Sequence, residues 1–158
     1  AAVNRGLHIF TGALEPISKL TCIQKAYPEI CNGYDKHHYI GTQRPVFVTN
    51  NKTEAEEIVE YIRWNARVGL SQRRNIAEIK DGCVITKPLE NEASTEDMLN
   101  EHIVAGTPEQ CILQIQRLQQ GLGLNYFGCN FWFGDMQRKQ VMSSMELFAN
   151  EVLPAFEH

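Results

Sequence analysis

The run from Asn125 to Phe133, Asn-Tyr-Phe-Gly-Cys-Asn-Phe-Trp-Phe, restricts the fold more than any other segment. Apolar or aromatic groups occupy both alternating positions, so both faces of a strand here need cover. Cover on both faces is the mark of a parallel sheet sandwiched by helices.

The flanking segments supply those helices. Thr107-Pro108-Glu109-Gln110 combines an N-cap, a proline at the first helical position and a glutamine three residues after the cap. Cys111, Ile112, Ile115 and Leu118 mark the buried face, and Gly121 and Gly123 stop the helix. A last helix is expected from about Met136 to Val152, with Val141, Met142, Met145, Phe148, Ala149 and Val152 inward. Earlier, Leu7 to Thr11 and Pro45 to Thr49 read as buried strands. A helix follows each: Glu15 to about Ala26, and one opened by a Thr53/Glu56 capping box that buries Ala55, Ile58, Val59, Ile62 and Ala66 and ends near Gly69. Pro28 and Asn32-Gly33 break the chain between. Residues 71–104 are polar and acidic, with weak apolar clusters and a short helix at Thr95 to Glu101. They read as a long excursion, or a lid. The order is α/β throughout, and periodicity leaves an open doubly wound sheet and a barrel equally open.

Composition excludes several function classes. A net charge of −4 implies no basic face for nucleic acid. No apolar run approaches the ~20 residues that span a bilayer. Five cysteines without a C-x-x-C pair argue against zinc or a disulfide framework, and point to reduced thiols in a cytoplasmic setting. No G-x-G-x-x-G or Walker A sequence occurs. His8 lies within a strand, and His37 and His38 point oppositely if extended, so none is assigned a catalytic or metal role.

Two motifs carry a resemblance. Val104-Ala105-Gly106-Thr107-Pro108-Glu109 resembles the V-G-T-P-E entry to the penultimate helix of bacterial luciferase and its relatives. Ser144-Met145-Glu146-Leu147-Phe148-Ala149-Asn150-Glu151-Val152-Leu153-Pro154 is similar to their S-M-x-L-F-x-x-E-V-x-P tail. Ala1 to Leu7 resembles the A-A-x-x-G-L that leads into a late strand of the family. The resemblance implies a parallel (β/α)8 TIM barrel, of which residues 1–158 would be only the C-terminal portion, about three strands with helices, since a whole barrel takes ~250 residues.

It also implies a flavin-dependent monooxygenase. Such an enzyme takes reduced FMN from a separate flavin reductase, uses O2, and passes one oxygen atom to a small organic substrate. A dimer fits the same resemblance. A non-catalytic flavin-binding subunit and a deazaflavin (F420)-dependent oxidoreductase are the alternatives. The family's catalytic groups and main phosphate-binding stretch are expected upstream of this segment, so no catalytic residue is assigned here. Barrel sites lie at the C-terminal ends of strands. That places Thr11 and Gly12 against the cofactor, where a hydroxyl and a bare backbone suit close approach. Asn130 and Trp132 would line the substrate pocket, and Thr49-Asn50 also falls on that rim. Cys129 reads as a buried thiol rather than a nucleophile.

Overall fold

The computed structural model describes residue 5, residues 7–26 and residues 39–157. The expected break at Pro28 and Asn32-Gly33, the His37-His38 pair and the Ala1–Gly6 motif (Arg5 apart) lie outside them. The described chain runs β1 (Ile9–Thr11), α1 (Ile17–Ala26), β2 (Ile40–Val48), α2 (Lys52–Arg73), β3 (Glu78–Lys80), β4 (Cys83–Ile85) and α3 (Thr95–Asp97). A π turn over Met98–His102 leads to β5 (Val104–Gly106), α4 (Pro108–Leu122), β6 (Tyr126–Asn130) and α5 (Arg138–Leu147), which widens into a second π turn, Phe148–Val152.

β2 is the hub of a four-stranded parallel sheet. Its Gly41 and Thr42 pair with Phe10 and Thr11 of β1 and also with Tyr126 and Phe127 of β6. A residue can serve two strands only if they lie on opposite sides, so β1 and β6 flank β2 in chain order. β5 pairs farther along, at Val46–Val48. The three expected strands and their parallel sense are present. β5 is an addition: Val104-Ala105-Gly106 carries no strand signal of its own and reads in sequence only as a helix entry. β2 also begins five residues before Pro45, through Ile40-Gly41-Thr42-Gln43-Arg44. Those small and polar residues hide a strand whose side chains, Gln43 apart, are buried.

Alternation along β2 divides the core. Ile40, Val46 and Val48 join Ile17 and Leu20 of α1 and Cys111, Ile115 and Leu118 of α4. Phe47 faces the other way and packs with Ile58, Val59 and Ile62 of α2 and with Phe133 and Val141. Upstream of Phe47 that second face is open. The Phe10 ring lies over Gly41 where a Cβ would clash. It stands edge-on to Tyr126 at 5.1 Å, and Tyr126 to Tyr39 at 5.5 Å. All three are about half exposed.

Helix ends show which local signals acted. Thr107 and Gln110 form the expected capping box around Pro108. α2 is instead capped by Asn51, whose Oδ1 accepts from Thr53 N at 3.0 Å, and it continues to Arg73 rather than stopping near Gly69. In the last helix Met142 and Met145 are exposed; the buried stripe is Val141, Ser144 and Val152, at helical spacing, and the Ser144 hydroxyl accepts from Val48 N at 2.8 Å. The excursion holds an antiparallel β3–β4 hairpin. The outer edge of β5 is closed by a side chain: Gln114 accepts from Ala105 N at 3.0 Å and donates to Ala105 O at 3.3 Å and Leu99 O at 3.2 Å. Among the described residues no helix is long and apolar enough to cross a membrane.

Candidate functional site at the strand ends

In a parallel sheet all C-terminal strand ends share one edge, where α/β proteins place ligands. Here β1 ends at Thr11, β2 at Val48, β5 at Gly106 and β6 at Asn130.

The Thr11 hydroxyl donates to Thr42 Oγ1 at 2.6 Å, and Thr42 is fully buried. Their register puts Thr11 on the face that α1 and α4 cover, not on the open face with Phe10. Gly12 is exposed and begins a turn, its carbonyl accepting from Glu15 N at 3.4 Å. A Cβ there would meet the Glu15 side chain at 3.2 Å.

Beyond Thr42 on the same face comes Arg44, 1% exposed. Its Nη1 donates to His102 O at 3.1 Å and Ala13 O at 3.4 Å, while His102 Nδ1 lies 2.8 Å from Leu14 O. The guanidinium thus ties the turn after β1 to the π turn before β5. Its Nε and Nη2 have no hydrogen-bond partner among the described residues. Burial pulls its pKa down to about 10 against the opposing pull of Glu15 and Glu101. Glu101 accepts from Ser18 N at 2.8 Å and Arg117 Nη2 at 3.1 Å. Sequence reasoning missed Arg44, because one cation before a proline resembles a strand boundary.

A groove of about 440 Å³ opens at the ends of β2 and β5, between Thr49, Asn50, Gly106, Thr107 and Gln114. The starts of α2 and α4 face it, which would suit an anion. Each already has a side-chain acceptor on one first-turn N–H: Asn51 Oδ1 accepts from Thr53 N of α2 at 3.0 Å, and Thr107 Oγ1 from Gln110 N of α4 at 3.4 Å. Glu54 accepts from Thr49 Oγ1 at 2.7 Å and Glu109 from Thr107 Oγ1 at 2.8 Å. The Thr107 hydroxyl holds the Glu109 carboxyl below the usual carboxylate range. The charged side chains that line the groove are Lys52 and Glu56, paired at 3.7 Å, so its lining offers a phosphate no net positive charge.

At the end of β6, Asn130 Oδ1 accepts from Trp132 N at 3.4 Å. Trp132 is 58% exposed, whereas Phe131 packs edge-on to Phe148 at 5.2 Å and Phe133 is buried. Asn130 shares a row with Pro45, on the face of Gly41 and Gln43. Asn130 and Trp132 therefore stand together, while the Thr11 hydroxyl lies across the sheet from Asn130. Burial pushes the Cys129 thiol up to about 11 and Cys111 up to about 12, so neither supplies a thiolate at neutral pH.

A flavin needs a flat apolar floor, a few polar groups and a phosphate site. The open face supplies apolar rings, Phe10 and Tyr126, and a polar group, the exposed Gln43. The rings stand edge-to-face and Phe10 already covers Gly41, so the face is not one flat floor. Among the described residues the two helix starts on the groove do not fit the phosphate.

No family model matches the chain, and no curated protein matches it in sequence. The crystal structure of monooxygenase RslO1 from Streptomyces bottropensis is similar, with a TM-score of 0.70 over 99% of this chain at 14% identity. The chain spans 44% of that protein's length. At this identity the likeness is one of fold: nearly the whole chain folds as less than half of that monooxygenase does.

Proposed function

We propose that residues 1–158 are the C-terminal portion of a luciferase-like, FMN-dependent monooxygenase barrel. The observation that carries this reading is the fold likeness to a monooxygenase over 99% of the chain. The T-P-E and S-M-x-L-F motifs support it independently, because each stands at the helix that the resemblance assigns to it.

When bound, reduced FMN would supply the electrons that activate O2; the chain's own groups bind, orient and keep water out. The planar ring would lie on the open face against Phe10 and Tyr126, beside Gln43. Trp132 would wall the substrate side, and the Asn130 amide would orient the substrate. Arg44 would act through the backbone by holding the Gly12–Leu14 turn. The phosphate would be held by residues upstream of this segment, and a flavin reductase would supply the reduced cofactor in a cytoplasmic setting.

The test uses the protein from the full coding sequence. With FMN, NADH, a flavin reductase and a panel of small organic substrates, substrate-dependent O2 uptake with incorporation of one labelled oxygen atom is expected. Retention of reduced F420 instead of reduced FMN, with hydride transfer and no oxygen incorporation, would replace this reading with a deazaflavin oxidoreductase. Retention of neither would reject a flavin role.

A further inference from the structure

The β3–β4 hairpin projects from the end of α2, and its turn dictates what its free edge offers. Asp81 and Gly82 both have positive φ, 52° and 79°, the two-residue loop of a right-twisting hairpin. In such a loop the flanking residues, Lys80 and Cys83, exchange the narrow pair of hydrogen bonds. The N–H and C=O of the next residue, Ile79, therefore point away from β4. Among the described residues no strand lies along that edge. Ile79 is 72% exposed, the highest of any large apolar residue described. An edge with an apolar side chain and unpaired backbone groups is a template for another strand.

Its side chains specify which strand. Glu78 and Lys80 flank Ile79 on the opposite face, both exposed and without an ion-pair partner among the described residues. If a second β3 is laid antiparallel about a two-fold axis at Ile79, each Ile79 meets its copy in a hydrogen-bonded pair. Glu78 of each chain then stands opposite Lys80 of the other, in the closer, non-hydrogen-bonded rows. The resulting four-stranded sheet carries one apolar row, Val84-Ile79-Ile79-Val84, across one face. We propose that β3 is a homotypic pairing edge, joining two copies of this chain through a two-fold β3–β3 contact with reciprocal Glu78–Lys80 pairs. The contact is three residues long, so it makes a weak, concentration-dependent dimer. It is independent of any chemistry at the strand ends.

Charge exchange on the chain itself tests it, read by sedimentation velocity across a concentration series. Glu78→Lys or Lys80→Glu alone places like charges opposite one another twice, and each should weaken self-association roughly tenfold. The double variant Glu78→Lys/Lys80→Glu restores both pairs and should recover the parental constant. Mixing the two single variants should give a heterodimer tighter than either forms alone. Ile79→Pro, which removes the outward N–H, should abolish the pairing. A parent that stays monomeric at every concentration overturns the proposal. So does self-association unchanged by the single exchanges, or lost in them and not recovered in the double.

Discussion

Arg67 grips Glu92 with two parallel bonds of 2.6 Å, one from Nε and one from Nη2, and so pins the far end of the excursion to α2. Glu92 also accepts from Leu89 N at 2.8 Å. The Arg67 hydrogen bond, reinforced by this backbone donor, outweighs desolvation and brings the Glu92 carboxyl down to about 2 from 4.5. A carboxylate stabilised in the folded state adds stability that is fully present above its unfolded pKa and is lost as pH falls through the folded one. The clasp should hold at neutral pH and weaken between about pH 4.5 and about 2. Glu92→Gln should cost about 1–2 kcal/mol at pH 7 and much less at pH 2. Urea midpoints at the two pH values check this; an equal cost at both would show that charge plays no part.

Arg44 tests what a buried cation contributes. Arg44→Met keeps the volume and removes two buried unpartnered nitrogens, although it frees Ala13 O and His102 O. It should cost about 1 kcal/mol, and Arg44→Ala about 3 kcal/mol because a cavity remains. Thermal unfolding of both variants decides; equal losses would mean that the guanidinium bonds, not its bulk, hold the turn after β1.

Gly106 has φ +132°, and a Cβ there would run into the Gln110 amide that completes the α4 cap. Gly106→Ala should lose about 1–3 kcal/mol from the left-handed strain alone. Gly69, in α2, meets nothing within 4 Å, and Gly69→Ala should gain up to about 1 kcal/mol. Melting temperatures moving in opposite directions confirm the contrast.

Trp132 separates packing from ligand contact. It is mostly exposed, so Trp132→Ala should change stability by no more than about 0.5 kcal/mol. If it walls the proposed substrate pocket, the same change in the full protein should raise the substrate KM and waste more NADH as hydrogen peroxide. Unchanged KM and coupling would remove Trp132 from the site.

The exposed aromatic face predicts dye binding. The chain should enhance the fluorescence of an anilinonaphthalene dye, and Phe10→Ser/Tyr126→Ser should reduce it with the near-ultraviolet dichroism of the core retained. Loss of both signals would mean that the pair supports folding rather than forming a surface.

Legibility from sequence followed the strength of local signals. Thr107-Pro108-Glu109-Gln110 states a helix start with its own side chains, and the structure contains it. Tyr126 to Asn130 needed only hydrophobic content. β5 was unreadable because three small residues before a cap carry no period, and its strand status comes from Val46–Val48 alongside. The Asp81-Gly82 turn signal was present, but runs of three mostly exposed residues on either side do not announce strands. Strand ends could be named from sequence, whereas the face a side chain takes could not. Thr11 depends on pairing with Thr42, 31 residues away, and only that register turns its hydroxyl toward α1 and α4.

Gln114 has a further consequence. A carboxamide has the same donor and acceptor as a peptide unit, and here it sits where the next strand's backbone would lie. To a chain arriving at β5 the edge is already counterfeited, and entry would mean evicting three hydrogen bonds at once. The sheet is therefore terminated at this point by one amino acid on a helix, so that growth by strand addition has to begin elsewhere on the molecule.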